Sequence, residues 1–236
     1  MFFSSKELEE ARKNGFILIG QTGVGKSTLL NVIIGKDVAE TGFSQSSVTK
    51  NTEVYYLKLK NGKYITLVDT PALSDPQMIG NEKANKFNIN LKEIIRDKIS
   101  KEKIYIKGIL YLVNFQNPRF DYQEQEALLN YNTFFPFKRF WKHLIVTFTH
   151  YYEDPNEDVS LEEIRNSRDQ ANERIFSKLM EKVKEVSDPI SYKEIKVKYY
   201  NSHSPGKNDK QRLLNEKDKE DIEKLFDDFI SKEPLF

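Results

Sequence analysis

The sequence predicts a three-layer α/β fold: a mostly parallel six-stranded sheet with one antiparallel strand, plus extra helices toward the C-terminal end. Three observations predict it. Short apolar runs, "FILIG", "YITLVDT", "IKGILYLVN" and "HLIVTFT", show little polar alternation, as strands do when both faces of a sheet are covered. These runs alternate with stretches of helical period, the order that makes a parallel sheet. The chain has 236 residues, 38% of them apolar, which suits one such core and is short for two. A single domain over 1–236 is therefore expected, with a core of about 15–203, an N-terminal helix over 4–14 and a C-terminal helical region over 215–232.

"SSKELEEARKN" reads as the leading helix, capped by Ser4 or Ser5, with early acids at the positive end of its dipole and Gly15 ending it. "FILIG" follows as a buried strand and "KSTLLNVIIG" as a helix closed by Gly35. "DVAETGFSQSSVTKN" has no period and is expected to be a loop. "TEVYYLKLK" alternates Leu57 and Leu59 with Lys58 and Lys60, so it is a strand with one wet face, and Asn61-Gly62 turns it into "KYITLVDT" as the antiparallel pair. "KANKFNINLKEIIRDKIS" gathers Phe87, Leu91, Ile94, Ile95 and Ile99 on one helical side. "IKGILYLVN" (strand), "DYQEQEALLNYNTFF" (helix) and "KHLIVTFT" (strand) continue the alternation. A long helix starts after a capping box of Ser160 and Glu163, "YKEIKVKYYNS" gives the last strand, and "NEKDKEDIEKLFDDFISK" the closing helix.

Composition narrows the function. Lysine plus arginine number 37 and aspartate plus glutamate 36, a net charge of +1 that argues against a nucleic-acid partner. The absence of cysteine removes disulfides and thiolate metal sites, and three histidines without HxxxH spacing give zinc no support. No stretch approaches the roughly 20 apolar residues of a transmembrane helix, and the start carries acids where a leader peptide would not. A cytoplasmic protein is expected, any peripheral membrane attachment being made through partners.

The chemistry concentrates in "GQTGVGKST". Gly20, Gly25, Lys26 and Ser27 match GxxxxGK[ST] between a buried strand and a helix, the setting in which backbone N–H groups turn inward around phosphates. Gly20, Gln21, Thr22, Gly23, Val24, Gly25, Lys26, Ser27 and Thr28 are the candidate nucleotide-binding residues. Lys26 would neutralise the β- and γ-phosphates and Ser27 would ligate magnesium. Asp69 closes the strand "YITLVD", so its carboxylate lies at the tip beside the loop, where it can reach magnesium through water; it can also serve as the cap of a helix after the strand. Thr49 is the candidate third magnesium ligand, engaged when the γ-phosphate is present. A loop threonine without that role is the other reading.

With these motifs in view, the chain resembles the AIG-type GTPases, the avirulence-induced and immunity-associated (GIMAP-like) family related to septins and chloroplast import GTPases. The resemblance rests on the P-loop, "SSVTK" with Thr49, "VDTPA" in place of the family's DTPG, the box "NPRFDYQEQEALLNY", "HLIVTFTHYYED" in the base-recognition place and "YYNS" after the last strand. It covers about Phe16 to Asn201 and implies a Ras-like P-loop GTPase fold binding GTP or GDP with magnesium. It implies that Thr149, His150 and Asn201 lie at the base. It further implies a switch that hydrolyses GTP slowly to GDP and phosphate, through Lys26, Thr49 and an arginine, Arg119, supplied across a homodimer formed through the nucleotide face.

Departures from the family pattern keep alternatives open. Ala72 stands for the usual glycine, Asn-Lys-x-Asp is absent, and either Glu153 or Asp154 supplies the guanine-reading acid if one does. Leu73, Ser74 and Asp75 follow "DTPA" with no glutamine to position water, and Gln77 lies further on. A nucleotide-dependent assembly protein with negligible hydrolysis and an ATP-using P-loop enzyme are the rival readings; the effector is not specified by the sequence.

Overall fold

A computed structural model of the chain describes residues 3–39, 52–71, 93, 95–115, 140–150, 161–182, 195–200 and 209–235. Its elements are α1 (Ser5–Arg12), β1 (Gly15–Gly20), α2 (Lys26–Ile34), β2 (Glu53–Lys58), β3 (Tyr64–Asp69), β4 (Ile106–Asn114), the short α3 (Phe140–His143), β5 (Leu144–Thr149), α4 (Leu161–Lys182), β6 (Lys196–Tyr199) and α5 (Asp209–Ile230). The sheet has six strands in the order β2-β3-β1-β4-β5-β6. Every pairing is parallel except β2 with β3, as the sequence predicts.

The apolar runs are continuous because each strand feeds two cores. Along β1, Phe16 and Leu18 join Leu29, Leu30 and Ile33 of α2 and Ile222, Phe226 and Phe229 of α5. Ile17 and Ile19 join the opposite cluster, with Ile95, Ile99, Phe140, Trp141 and Leu235. Successive side chains point to opposite faces, so a strand covered on both sides must be apolar throughout. The covering of the first face is tight: the rings of Phe16 and Phe226 lie 4.2 Å apart between centroids.

Ser4 caps α1 in a reciprocal box with Glu7, which settles the choice between Ser4 and Ser5. Gly15 does not end that helix. Lys13 is its C-cap and Gly15 opens β1, where a Cβ would meet Ile104 Cγ2 at 2.5 Å and the Tyr105 carbonyl at 2.9 Å. The glycine is there for close approach. Asn61 and Gly62 lie in a loop closed by Leu59 N–H to Lys63 O (2.9 Å), with Gly62 N–H on Leu59 O (3.0 Å) and Gly62 at φ 88°. This is a three-residue hairpin loop with the glycine in the left-handed position. β6 is shorter than "YKEIKVKYYNS", because it is an edge strand whose pairing extends only from Ile145↔Lys196 to Phe148↔Tyr199. α5 begins at Asp209, earlier than the predicted 215. The helix predicted over "KANKFNINLKEIIRDKIS" is described over 95–102, with Ile95 and Ile99 buried; the helix of "DYQEQEALLNYNTFF" and the Ser160 cap lie outside the described residues. Among the described residues, no helix is long and apolar enough to cross a membrane.

Candidate functional site

β1 and β3 run parallel as sheet neighbours, with Leu18 in register with Asp69, so the loop leaving β1 and the carboxylate ending β3 arise at the same rim. This is the carboxyl end of the strands, where ligands bind in open α/β sheets. The loop's curvature comes from three glycines at positive φ: Gly20 (153°), Gly23 (78°) and Gly25 (86°). A Cβ on Gly20 would sit 2.7 Å from the Leu112 carbonyl of β4. Gly25 is the N-cap of α2 and contributes no side chain, so the positive end of the helix is left to the loop's open side.

Lys26 starts α2, is 7% exposed, and folds back over the loop. Its ammonium donates to the carbonyls of Gly20 (3.1 Å) and Gln21 (2.9 Å). Burial lowers its pKa to about 8, against the opposing pull of Asp69. Asp69 is 1% exposed. Ser27 Oγ donates to its Oδ2 at 3.4 Å, while its Oδ1 is buried with no hydrogen-bond partner. Burial pushes this carboxyl up to about 6, and Lys26 and Ser27 oppose that rise. Thr70 ties the chain after β3 back to β1 by donating to Leu18 O at 2.7 Å. Two opposite charges thus lie under the loop without a full set of partners, an arrangement suited to an anion on one side and a cation on the other.

The donor set fits magnesium. A hydroxyl and a carboxylate with a bare buried oxygen are the hard oxygen ligands that ion takes, with water and substrate phosphates completing its shell. Among the described residues there is no group of three or more His, Cys, Asp or Glu that would make an all-protein cage.

Thr149 ends β5 fully buried. Its hydroxyl donates to the Val24 carbonyl of the loop at 2.5 Å, with the Val113 carbonyl of β4 at 3.3 Å. His150, at φ 54°, carries its ring back onto the loop: a Cβ on Gly25 would lie 3.4 Å from both Cε1 and Nε2. The ring also hydrogen-bonds the Gly23 backbone; that bond favours the protonated ring, whereas burial, the larger effect, lowers its pKa. Gln21, Thr22, Ser27 and Thr28 are half-buried around the same loop, and Val24 is in the core beneath it.

The structure therefore gathers Gly20 to Thr28, Asp69, Thr149 and His150 at one rim. Thr49, Ala72, Gln77, Arg119, Glu153, Asp154 and Asn201 lie outside the described residues. One organising residue escaped the sequence reading. Asn31, 1% exposed, accepts from Val38 N–H (3.0 Å) and Ala39 N–H (2.9 Å) and donates to Ala39 O (2.9 Å), fixing the chain that leaves α2. Its signal was a single amide inside the apolar run "LLNVII".

Immune-associated nucleotide-binding protein 3 of Arabidopsis thaliana is 41% identical over 66 residues, 28% of this chain and 20% of that protein. The chain thus spans a fifth of that relative. The crystal structure of Toc33 from Arabidopsis thaliana in complex with GDP and Mg2+ superposes with a TM-score of 0.69 at 20% identity, covering 97% of this chain and 90% of that one. A structure of the chloroplast translocon components atToc33 and psToc159, whose dimerization is described as important for GTPase activity, gives 0.67 at 18% identity over 98% and 90%. These likenesses establish the fold as that of P-loop GTPases. The AIG1 family profile matches residues 14–202, from the residue before β1 to just past β6, and the chain belongs to the AIG1 family.

Proposed function

We propose that this chain is a magnesium-dependent GTP-binding switch that hydrolyses GTP slowly, faster when two copies meet through their nucleotide faces. The observation that carries the reading is the placement of Lys26 and Ser27 at the uncapped start of α2, facing the partly unpartnered Asp69 of β3 beneath a loop of left-handed glycines. Amides of the loop and Lys26 take the phosphates. Ser27 and Asp69, with Thr49 in the triphosphate form, hold magnesium, which neutralises charge on the phosphoryl group. Guanine preference is drawn from the family, with Asn201 and either Glu153 or Asp154 at the base. Arg119 reaches the partner's phosphates, a reading supported by the dimer dependence described for the chloroplast translocon components. A cytoplasmic location belongs to the same proposal.

The absence of a glutamine after "DTPA" favours a second reading, an assembly protein whose bound nucleotide is scarcely turned over. Turnover measured across a protein concentration series separates them. The switch predicts GTP or GDP copurifying with the protein and a rate per molecule that rises with concentration, flattened by Arg119→Ala. Lys26→Ala should abolish nucleotide binding. Concentration-independent, near-zero turnover in the parent would favour the assembly reading, and unchanged GTP affinity in Lys26→Ala would overturn the site.

A further inference from the structure

β2 enters the sheet at the rim where β3 leaves it, and the antiparallel register sets Glu53 directly opposite Asp69. Directly opposed residues of an antiparallel pair put their side chains on one face, about 4.5–5.5 Å apart at Cβ. Glu53 therefore stands on the face of Asp69, the face from which Ser27 of α2 reaches that carboxylate. Like charges so placed repel, and the charge of Glu53 is among the influences that oppose ionisation of Asp69. Among the described residues, no lysine or arginine forms an ion pair with Glu53 to relieve this.

The pair is nonetheless held in place. Residues two apart on a strand share a face, and the Tyr55 hydroxyl donates to Glu53 Oε2. Burial raises the pKa of the Tyr55 phenol and the carboxylate it serves raises it further, so Tyr55 remains the donor at neutral pH. Glu53 itself is exposed at the open end of β2, whereas Asp69 Oδ1 is buried without a partner. Lys26 is the cation that eases the charge of Asp69, and Lys26 is also the group that phosphate engages. A nucleotide that draws on Lys26 leaves two carboxylates facing each other unless a divalent cation enters with it. Magnesium suits the place, because it keeps several of its waters and binds through one or two carboxylates plus substrate phosphates.

We infer that Glu53 is a second carboxylate of the magnesium site, a positioning residue that accepts hydrogen bonds from water on the ion and faces Asp69 across the β2–β3 pair. The inference rests on the magnesium reading of Ser27 and Asp69. It extends the ion's support from β3 to β2, the strand that follows the segment carrying Thr49.

The test measures GDP affinity of the full chain in magnesium and in a magnesium-free chelating buffer, for the parent, Glu53→Gln and Asp69→Asn. Glutamine keeps the length of glutamate and can still accept from Tyr55, so the charge is what changes. The ratio of the two affinities is the gain that magnesium confers. Removing a residue that supports a metal through its bound groups typically costs about 10–100-fold in metal affinity. An exposed carboxylate belongs at the low end, so the gain should fall roughly tenfold in Glu53→Gln while affinity in the chelating buffer stays parental. An unchanged gain in Glu53→Gln would overturn the inference. So would an equal loss with and without magnesium, which would make Glu53 a structural residue. Asp69→Asn isolates the premise: a gain that survives there would remove the magnesium site itself, whereas its loss there together with a parental gain in Glu53→Gln would remove only the second carboxylate.

Discussion

Replacing Asp69 by asparagine should stabilise the nucleotide-free protein while destroying its affinity for magnesium nucleotide. The carboxyl is 1% exposed, one of its oxygens has no partner, and burial pushes it up to about 6 from a usual 3.8. The folded state thus holds a proton on this group between about pH 4 and 6 that the unfolded state has released. Stability falls as pH rises through that window, and the full cost is present above it. At about 1.36 kcal/mol per pH unit, ionising the buried carboxyl costs the fold about 3 kcal/mol near neutrality. Asparagine avoids that charge and can still accept from Ser27, but it gives up the attraction between the carboxylate and the Lys26 ammonium, so a net gain of about 1–2 kcal/mol is expected. For a chain of this size that is a rise of about 2–8 °C in Tm. Thermal melts of parent and Asp69→Asn at pH 7.5, 6 and 4 test it: the variant's advantage should be largest at pH 7.5 and shrink toward pH 4. A variant that melts below the parent at pH 7.5, or an advantage that ignores pH, would refute the reasoning.

Gly20→Ala should both destabilise the chain and impair nucleotide binding, because φ 153° and a 2.7 Å approach to the Leu112 carbonyl leave no room for Cβ; a loss of roughly 1–3 kcal/mol in urea unfolding is expected from the backbone alone, and parental stability would show that the loop rearranges freely. Phe226→Ala removes a fully buried ring packed at a tilt against Phe16 and should cost about 3–5 kcal/mol in the same assay. A cost near zero would mean that α5 is an appendage to the core.

The fold was legible because its signals are local and repeated. Runs such as "FILIG" have no polar face to place, and the phosphate loop needs glycine at positions where other side chains are strained, so both leave marks in the sequence. Asn61 and Gly62 likewise marked their turn. The features that were not legible depend on distant partners. Gly15 looks like a helix stop until Ile104 and Tyr105 are seen beside it. β6 ends where β5 ceases to pair with it. Thr149 and His150 could be placed at the rim from their position after an apolar strand, but the acceptors they reach, Val24 and Gly23, depend on the path of a loop more than a hundred residues earlier. Asn31 was visible as an anomaly in an apolar helix, without its partners.

The two perturbed charges make opposite proton demands on nucleotide binding, and this gives the site a calorimetric signature. To hold a cation, Asp69 must be ionised. Near pH 6 about half of these carboxyls carry a proton, so binding magnesium nucleotide should release about half a proton from this residue. To meet phosphate, Lys26 must be charged. Near pH 8 about half of these amines are neutral, so binding there should take up about half a proton. Titrating GDP with magnesium into the protein at each pH, in two buffers of different ionisation enthalpy, measures the proton count directly. GDP's own phosphate loses protons on binding magnesium at pH 6, so the Asp69 contribution is read as the difference between the parent and Asp69→Asn. The uptake at pH 8 should be absent in Lys26→Met wherever binding is still measurable. Proton release that is the same at both pH values would mean that the charges under the loop are not the groups the nucleotide engages. A change of sign between them would tie the electrostatic cost of the free protein to its ligand, since the same burial that makes Lys26 and Asp69 costly there leaves each of them short of the partner that a phosphate and a magnesium ion supply.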